Sequence, residues 1–188
     1  MTTAQLVREA RRGSGLTQRE LASRAGVTQP ALADIERSAH DTRGAALSRL
    51  VGAAGYGLFV LPTTARCAAA WADLIYQELR SPRRSEEVAF RALIGLNDDL
   101  VSVSESLRVA LCVAPPAPCG DLRFDAGVAG VVDYHLSKAQ LPVPSWVREP
   151  SRVLKETWFV SPYTDLAEVP TAFQRHGVWL AESELASV

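Results

Sequence analysis

The sequence predicts a mainly α-helical chain in two parts, a helical domain over residues 1–62 and a larger helical region over 65–188. Three observations carry this. Apolar residues recur at spacings of three and four through most of the chain, as on a helix with one buried side. Thr17 and Thr28 each stand where a helix would start, with Gly26 between the two helices they would cap. From about residue 141 onward Pro142, Pro144, Pro150, Pro162 and Pro170 punctuate the chain, so the region ends in an irregular Pro- and aromatic-rich tail.

Composition narrows the function. At 188 residues, 47% of them apolar, the chain can build a substantial core. No apolar run approaches the roughly 18 residues of a membrane span. Arg8, Arg11 and Arg12 are not followed by an apolar signal-peptide segment, so a cytoplasmic protein without a membrane partner is expected. Cys67, Cys112 and Cys119 are scattered and the three histidines isolated, so neither a metal site nor a cofactor is expected. No nucleophile stands in a pattern with a base, and Asp98 and Asp99 would diverge by about 100° on a helix. Catalytic residues are therefore not expected, and the chain does not read as an enzyme. Charge is split: residues 1–57 carry eight arginines and five acids (+3), and residues 58–188 twelve basic and sixteen acidic residues (−4). The first part can meet phosphate; the second is acidic.

Taken in order, residues 5–12 read as a first helix with Leu6, Val7 and Ala10 inward, ended by Gly13-Ser14-Gly15. Thr17 caps a second helix over 18–24, residues 25–27 make a turn, and Thr28 caps a third from 29 to about 37. Leu16, Leu21, Ala22, Ala25, Val27, Leu32 and Ile35 share one side of this pair, which leaves Gln18, Thr28, Gln29, Asp34 and Arg37 facing out. Pro30 fits because the first helical turn does not need its missing N–H. Two short helices about a tight turn form a helix-turn-helix, whose second helix enters a DNA major groove. A further helix follows over 45–54 with Leu47, Leu50 and Val51 inward, and Gly55 stops it. Residues 56–61 read as a short strand ended by Pro62, whose pairing strand could come from a second protomer.

These residues resemble the phage-repressor and Cro-like (XRE) family. The resemblance rests on Arg11, Gly15-Leu16-Thr17-Gln18, Leu21-Ala22, Gly26-Val27-Thr28 and Ile35-Glu36, in register over roughly residues 4–57. It implies a five-helix-type repressor-like domain, double-stranded DNA as partner, and a homodimer. By that resemblance Thr28, Gln29, Ala31 and Asp34 reach base edges. Glutamine can bind adenine with two hydrogen bonds, the alanine methyl can touch thymine, and aspartate can accept from cytosine. Gln18, at a helix N-terminus, suits a phosphate, as do Arg37 and Arg43. Arg11 and Glu36 are expected to form a structural ion pair. Ser38, Thr42 and Gly44 depart from the family pattern, which has glycine, proline and a core leucine there.

In the second part, residues 65–80 read as a helix with Ala68, Trp71, Leu74, Ile75 and Leu79 on one face, and Ser81-Pro82 breaks it beside Arg83 and Arg84. A long helical stretch over about 85–113 places Leu93, Leu96, Leu100, Val103, Leu107 and Ala110 in a heptad-like seam with Asn97 on the polar side. This seam fits either an internal helix hairpin or a dimer helix. Residues 114–120 make a loop, and Asp125 is expected to cap a helix over 126–139 with Tyr134 and His135 at the edge of its apolar face. Short helices are expected near 152–156 and 171–176, with a small strand or docking segment at 178–180. Trp146, Trp158, Phe159, Phe173 and Trp179 are candidates for a partner surface, since net acidity argues against single-stranded nucleic acid there.

The segments 125–130, 144–147 and 173–180 are similar to those of a group of bacterial regulators with a Cro-like head and a helical body, some of which act as antitoxins to nucleotidyltransferase-type toxins. Three functions follow: a sequence-specific transcriptional regulator, as a dimeric repressor that autoregulates its operon; an antitoxin that neutralises a protein toxin through its C-terminal region; and a ligand-sensing transcription factor.

Overall fold

A computed structural model describes residues 3–37, 43–58, 60, 62–81 and 85–185. The chain is mainly α-helical and divides into two compact units, Met1–Leu61 and Pro62–Val188.

The N-terminal unit has four helices among its described residues: α1 (Thr3–Gly13), α2 (Gln18–Ala25), α3 (Gln29–Glu36) and α4 (Gly44–Ala53). Val7, Leu21, Leu32 and Leu50 are fully or almost fully buried at its centre, with Leu16, Ala22 and Ala25 around them. α2 starts in a complete capping box, Thr17 accepting from the Glu20 N–H while the Glu20 carboxylate accepts from the Thr17 N–H. It ends at Gly26, whose φ of +66° lets its N–H turn back onto the Ala22 carbonyl, a conformation costly to any residue with a Cβ. Thr28 then opens α3 by accepting from the Ala31 N–H. Gly44 is exposed at the start of α4, so this core does not use the side chain the family places there. The strand expected over 56–61 is absent at 56–58 and 60, and Phe59 and Leu61 lie outside the described residues. Ser38 and Thr42 also lie outside them.

The C-terminal unit is organised around α8 (Leu122–Lys138), buried at every position from Phe124 to Leu136. Around it stand α5 (Ala68–Arg80), α6 (Glu86–Ser102), α7 (Glu105–Cys112) and α9 (Thr171–Arg175). A helix buried all round has to be enclosed and its charges paired, as Asp125 is with Arg152 and Asp133 with Arg175. Small residues make that possible: a Cβ added at Gly130 would lie 2.8 Å from the Phe173 ring of α9. The tail contributes 3-10 turns at Ser145–Arg148 and Pro150–Arg152, and a two-stranded parallel sheet of β1 (Trp158–Phe159) and β2 (Val178–Trp179).

Several expectations are corrected. The long helix over 85–113 is two helices, because the chain turns extended at Val103 and restarts at Ser104. Of the two readings of the seam, the internal one holds: Leu93, Leu96 and Leu100 are fully buried within this one chain and offer no dimer face. Asn97 is buried too, its Oδ1 accepting from His135 Nε2 at 2.7 Å while its Nδ2 donates to the Leu185 carbonyl. His135 is therefore inside the core, where burial, with Arg108 and Lys138 nearby, lowers its pKa to about 4. The residue that caps α8 is Asp121, which accepts from the Arg123 N–H. Asp125 sits one turn in, buried, bound to Arg152 at 2.9 Å and accepting from the Cys119 N–H. The helix expected near 152–156 does not form: Arg152 ends the 3-10 turn Pro150–Arg152, and 153–156 are non-helical. Pro82, Arg83 and Arg84 lie outside the described residues.

Candidate nucleic-acid interface

The outer face of α2 and α3 is organised by a chain of side chains that begins on α1. Arg11 grips the Glu36 carboxylate with two hydrogen bonds, Nε to Oε1 at 2.7 Å and Nη2 to Oε2 at 3.0 Å, and its Nη1 donates to the Leu16 carbonyl. Glu36 is only 3% exposed, so this charge needs its partner. Burial by itself would raise the Glu36 pKa; hydrogen bonds from Arg11 and Gln18 outweigh it and hold the carboxyl below its ordinary value. Gln18 Nε2 donates to Glu36 Oε2 at 2.9 Å, and Gln29 Nε2 in turn donates to Gln18 Oε1 at 3.4 Å. The fixed order Arg11–Glu36–Gln18–Gln29 therefore runs from a buried ion pair to an exposed glutamine in the first turn of α3. Around it, Thr28 and Ala31 are exposed.

Residues 7–61 match the family model described as Helix-turn-helix. They form a DNA-binding domain of the phage-repressor (XRE) type. This helix-turn-helix accounts for under a third of the chain, and no curated protein and no solved structure matches the sequence.

Within the helix-turn-helix domain the remaining expected residues fall into distinct places. The Thr28 hydroxyl oxygen accepts from the Ala31 N–H as the α3 cap, which leaves its proton and one lone pair for a base edge. Asp34 pairs with Arg37 one turn later, both side chains largely exposed, so the pair is weak and solvent-screened. Arg37 also donates from Nε to the Ala33 carbonyl. Arg43 is exposed at the N-cap position of α4 and makes no cap bond. Gln18, expected from sequence as a phosphate contact, donates one amide N–H to Glu36 and accepts from Gln29, which leaves its second N–H for a phosphate. Arg8 was missed: it donates to the Glu36 backbone carbonyl from the same face of α1 as Arg11. The three-residue spacing of Arg8 and Arg11 was the available signal.

The candidates for a partner surface in the C-terminal unit separate sharply. Trp146 and Phe173 are 3% and 0% exposed and belong to the core, with Trp146 Nε1 donating to the Cys112 carbonyl at 2.9 Å. Trp158 and Trp179 are half-buried; Phe159 is 54% exposed and stacks on Trp179 with ring centres 5.8 Å apart. Tyr163, Leu122 and Leu166 add exposed apolar surface. Among the described residues, no helix is long and apolar enough to cross a membrane.

Proposed function

We propose that this protein is a cytoplasmic, sequence-specific transcriptional regulator that binds a palindromic operator as a homodimer and represses its own operon. It acts by binding and not by catalysis. The observation that carries the reading is the tethered chain from Arg11 to Gln29. A glutamine held at the N-terminus of α3 before DNA arrives loses little further rotamer freedom on binding an adenine edge. Ala31 beside it suits a thymine methyl, Asp34 suits cytosine N4 if Arg37 swings to phosphate, and the positive N-terminal unit steers the approach. The test is fluorescence anisotropy of the full chain against DNA from upstream of its own gene, beside a scrambled duplex. Preference for the upstream duplex, with a loss of roughly 5- to 150-fold in Gln29→Ala, is expected from about 1–3 kcal/mol per base contact. Equal binding of both duplexes would overturn it.

A second reading, compatible with the first, is an antitoxin whose C-terminal unit binds a protein toxin. It is supported by the exposed apolar residues Leu122, Phe159, Tyr163 and Leu166, which a unit with nothing to bind has reason to cover.

A further inference from the structure

Where α6 breaks into α7 the C-terminal unit has a cavity of about 450 Å³, bounded also by the end of α8 and the 3-10 turn Glu182–Leu185. Arg108 lines it, half-buried, and spans the break. Its Nε donates to the Leu100 carbonyl at 2.6 Å and its Nη2 to the Val103 carbonyl at 3.2 Å. Both acceptors are neutral. They fix the plane of the guanidinium, and Nη1 keeps two hydrogens with no partner among the described residues. No carboxylate among those residues pairs with Arg108. The other charges of the lining are already matched: Lys138 donates to Glu182 at 2.6 Å and to the Tyr134 hydroxyl at 2.7 Å. Arg108 and Lys138 against Glu182 leave the lining at +1, of which the C-terminus of α6 offsets about half a charge.

The cavity also holds a free acceptor. Asn97 turns its Nδ2 to the Leu185 carbonyl, so the atom that faces His135 is Oδ1, and His135 Nε2 must carry the proton. The other ring nitrogen, Nδ1, is then a lone pair. It has no hydrogen-bond partner among the described residues and is not sealed from the cavity. Burial first, then Arg108 and Lys138, lower the His135 pKa to about 4, so the ring is neutral at pH 7 and lies in the positive field of the two cations.

The geometry points to a binding site for a small organic monoanion, a carboxylate held on Arg108 Nη1 with a hydroxyl that donates to His135 Nδ1. A guanidinium with hydrogens to give is the donor that carboxylates bind most directionally. Val101, Leu185 and the Tyr134 ring supply apolar surface for the body of the molecule. The volume lies within the roughly 300–1,000 Å³ of small-molecule pockets. One net positive charge balances one carboxylate; a second would face Glu182 with no cation left to meet it. The site lies wholly within the C-terminal unit, and it adds an effector to the DNA-binding reading without resting on it.

The test is isothermal calorimetry of the full chain with benzoate, 3-hydroxybenzoate and 3-hydroxybutyrate, each beside its neutral primary amide. A hydroxy acid is expected to bind with a Kd below about 1 mM, and about tenfold or more tighter than its amide. 3-Hydroxybenzoate should bind tighter than benzoate, through the bond to His135 Nδ1. Val101 is 60% exposed, so it can be changed without disturbing the core. Val101→Asp brings the lining to zero net charge and should weaken the acids about tenfold while leaving the amides alone. Val101→Asn, of the same shape and uncharged, should keep wild-type binding. Arg108→Gln should remove the preference for acid over amide. Because Arg108 also ties α6 to α7, its variant is melted alongside, and Val101→Asp decides the outcome if Arg108→Gln is unfolded. Amide NMR shifts on adding the acid should centre on Val101, Arg108 and Ala139. Binding of none of the acids at about 10 mM, amides bound as tightly as acids, or acids indifferent to Val101→Asp would each overturn the proposal. So would 5-hydroxyisophthalate binding about tenfold tighter than the monoacid, by assigning the site to a dianion.

Discussion

At the scale of single residues, Glu36 ties stability to recognition. Its carboxylate is buried, paired with Arg11, and the acceptor that orients Gln18. Removing one partner of a buried pair leaves the other uncompensated. Glu36→Gln is therefore expected to cost about 3 kcal/mol of stability in the N-terminal unit, the lower end of what breaking such a pair costs. It also weakens the alignment of Gln29, so DNA affinity should fall even at temperatures where the variant is folded. The pH dependence has a definite sign. A carboxyl whose pKa is lower in the folded state contributes fully above its unfolded value, about 4.3, and loses that contribution as pH falls through the folded value. Urea midpoints of wild type should thus drop as pH is lowered below about 4.3, and Glu36→Gln should remove part of that slope. A variant with the wild-type midpoint at neutral pH would mean that the ion pair is not the anchor of this face.

At the scale of elements, α8 explains both what the sequence disclosed and what it hid. The helix-turn-helix was legible because its signals are local: Thr17, Gly26 and Thr28 each dictate a cap or turn by their own chemistry, and a repeated apolar spacing fills in the rest. Mainly helical character was legible for the same reason. The interior of the C-terminal unit was not, because a helix enclosed on all sides loses the one-sided pattern that marks an amphipathic helix. Asp125 thus looked like a cap when it is a buried partner of Arg152, and Asn97 and His135 looked peripheral when they bind each other in the core. Phe173 looked available to a partner although Gly130 gives it a seat on α8. That seat gives a direct test. Gly130→Ala should destabilise the C-terminal unit by about 1–3 kcal/mol through overpacking against the Phe173 ring, although alanine is the better helix former. Phe173→Leu, costly alone, should cost less in the Gly130→Ala background, and a thermal-melting double-mutant cycle measures that coupling. Additive effects would place the strain elsewhere.

At the scale of the whole molecule, the question is how few base contacts can yield specificity. On the proposed reading one α3 would present Gln29, Ala31 and the Asp34–Arg37 pair to a groove, and each good contact discriminates by about 1–3 kcal/mol. A single domain therefore separates its site from random DNA poorly against the many competing sites of a genome. Two copies on a two-fold axis double the contacts and fix the distance between half-sites at about one helical turn, roughly 34–36 Å. The seam of α6 is consumed by its own core, and the strand expected after α4 is not formed among the described residues, so the proposed dimer would have to use other surface. Binding geometry tests the dimer without locating that surface. A duplex carrying one half-site should bind at least a hundredfold more weakly than the full operator. Inserting five base pairs between the half-sites should weaken binding as much, because it turns the second major groove to the opposite side of the helix. The slope of log K against log salt should also become shallower when one half-site is removed, by about 0.9 for every phosphate the second copy no longer neutralises. If the half-site binds as tightly as the whole, the protein reads DNA as a monomer, and its specificity must then come from contacts outside α3.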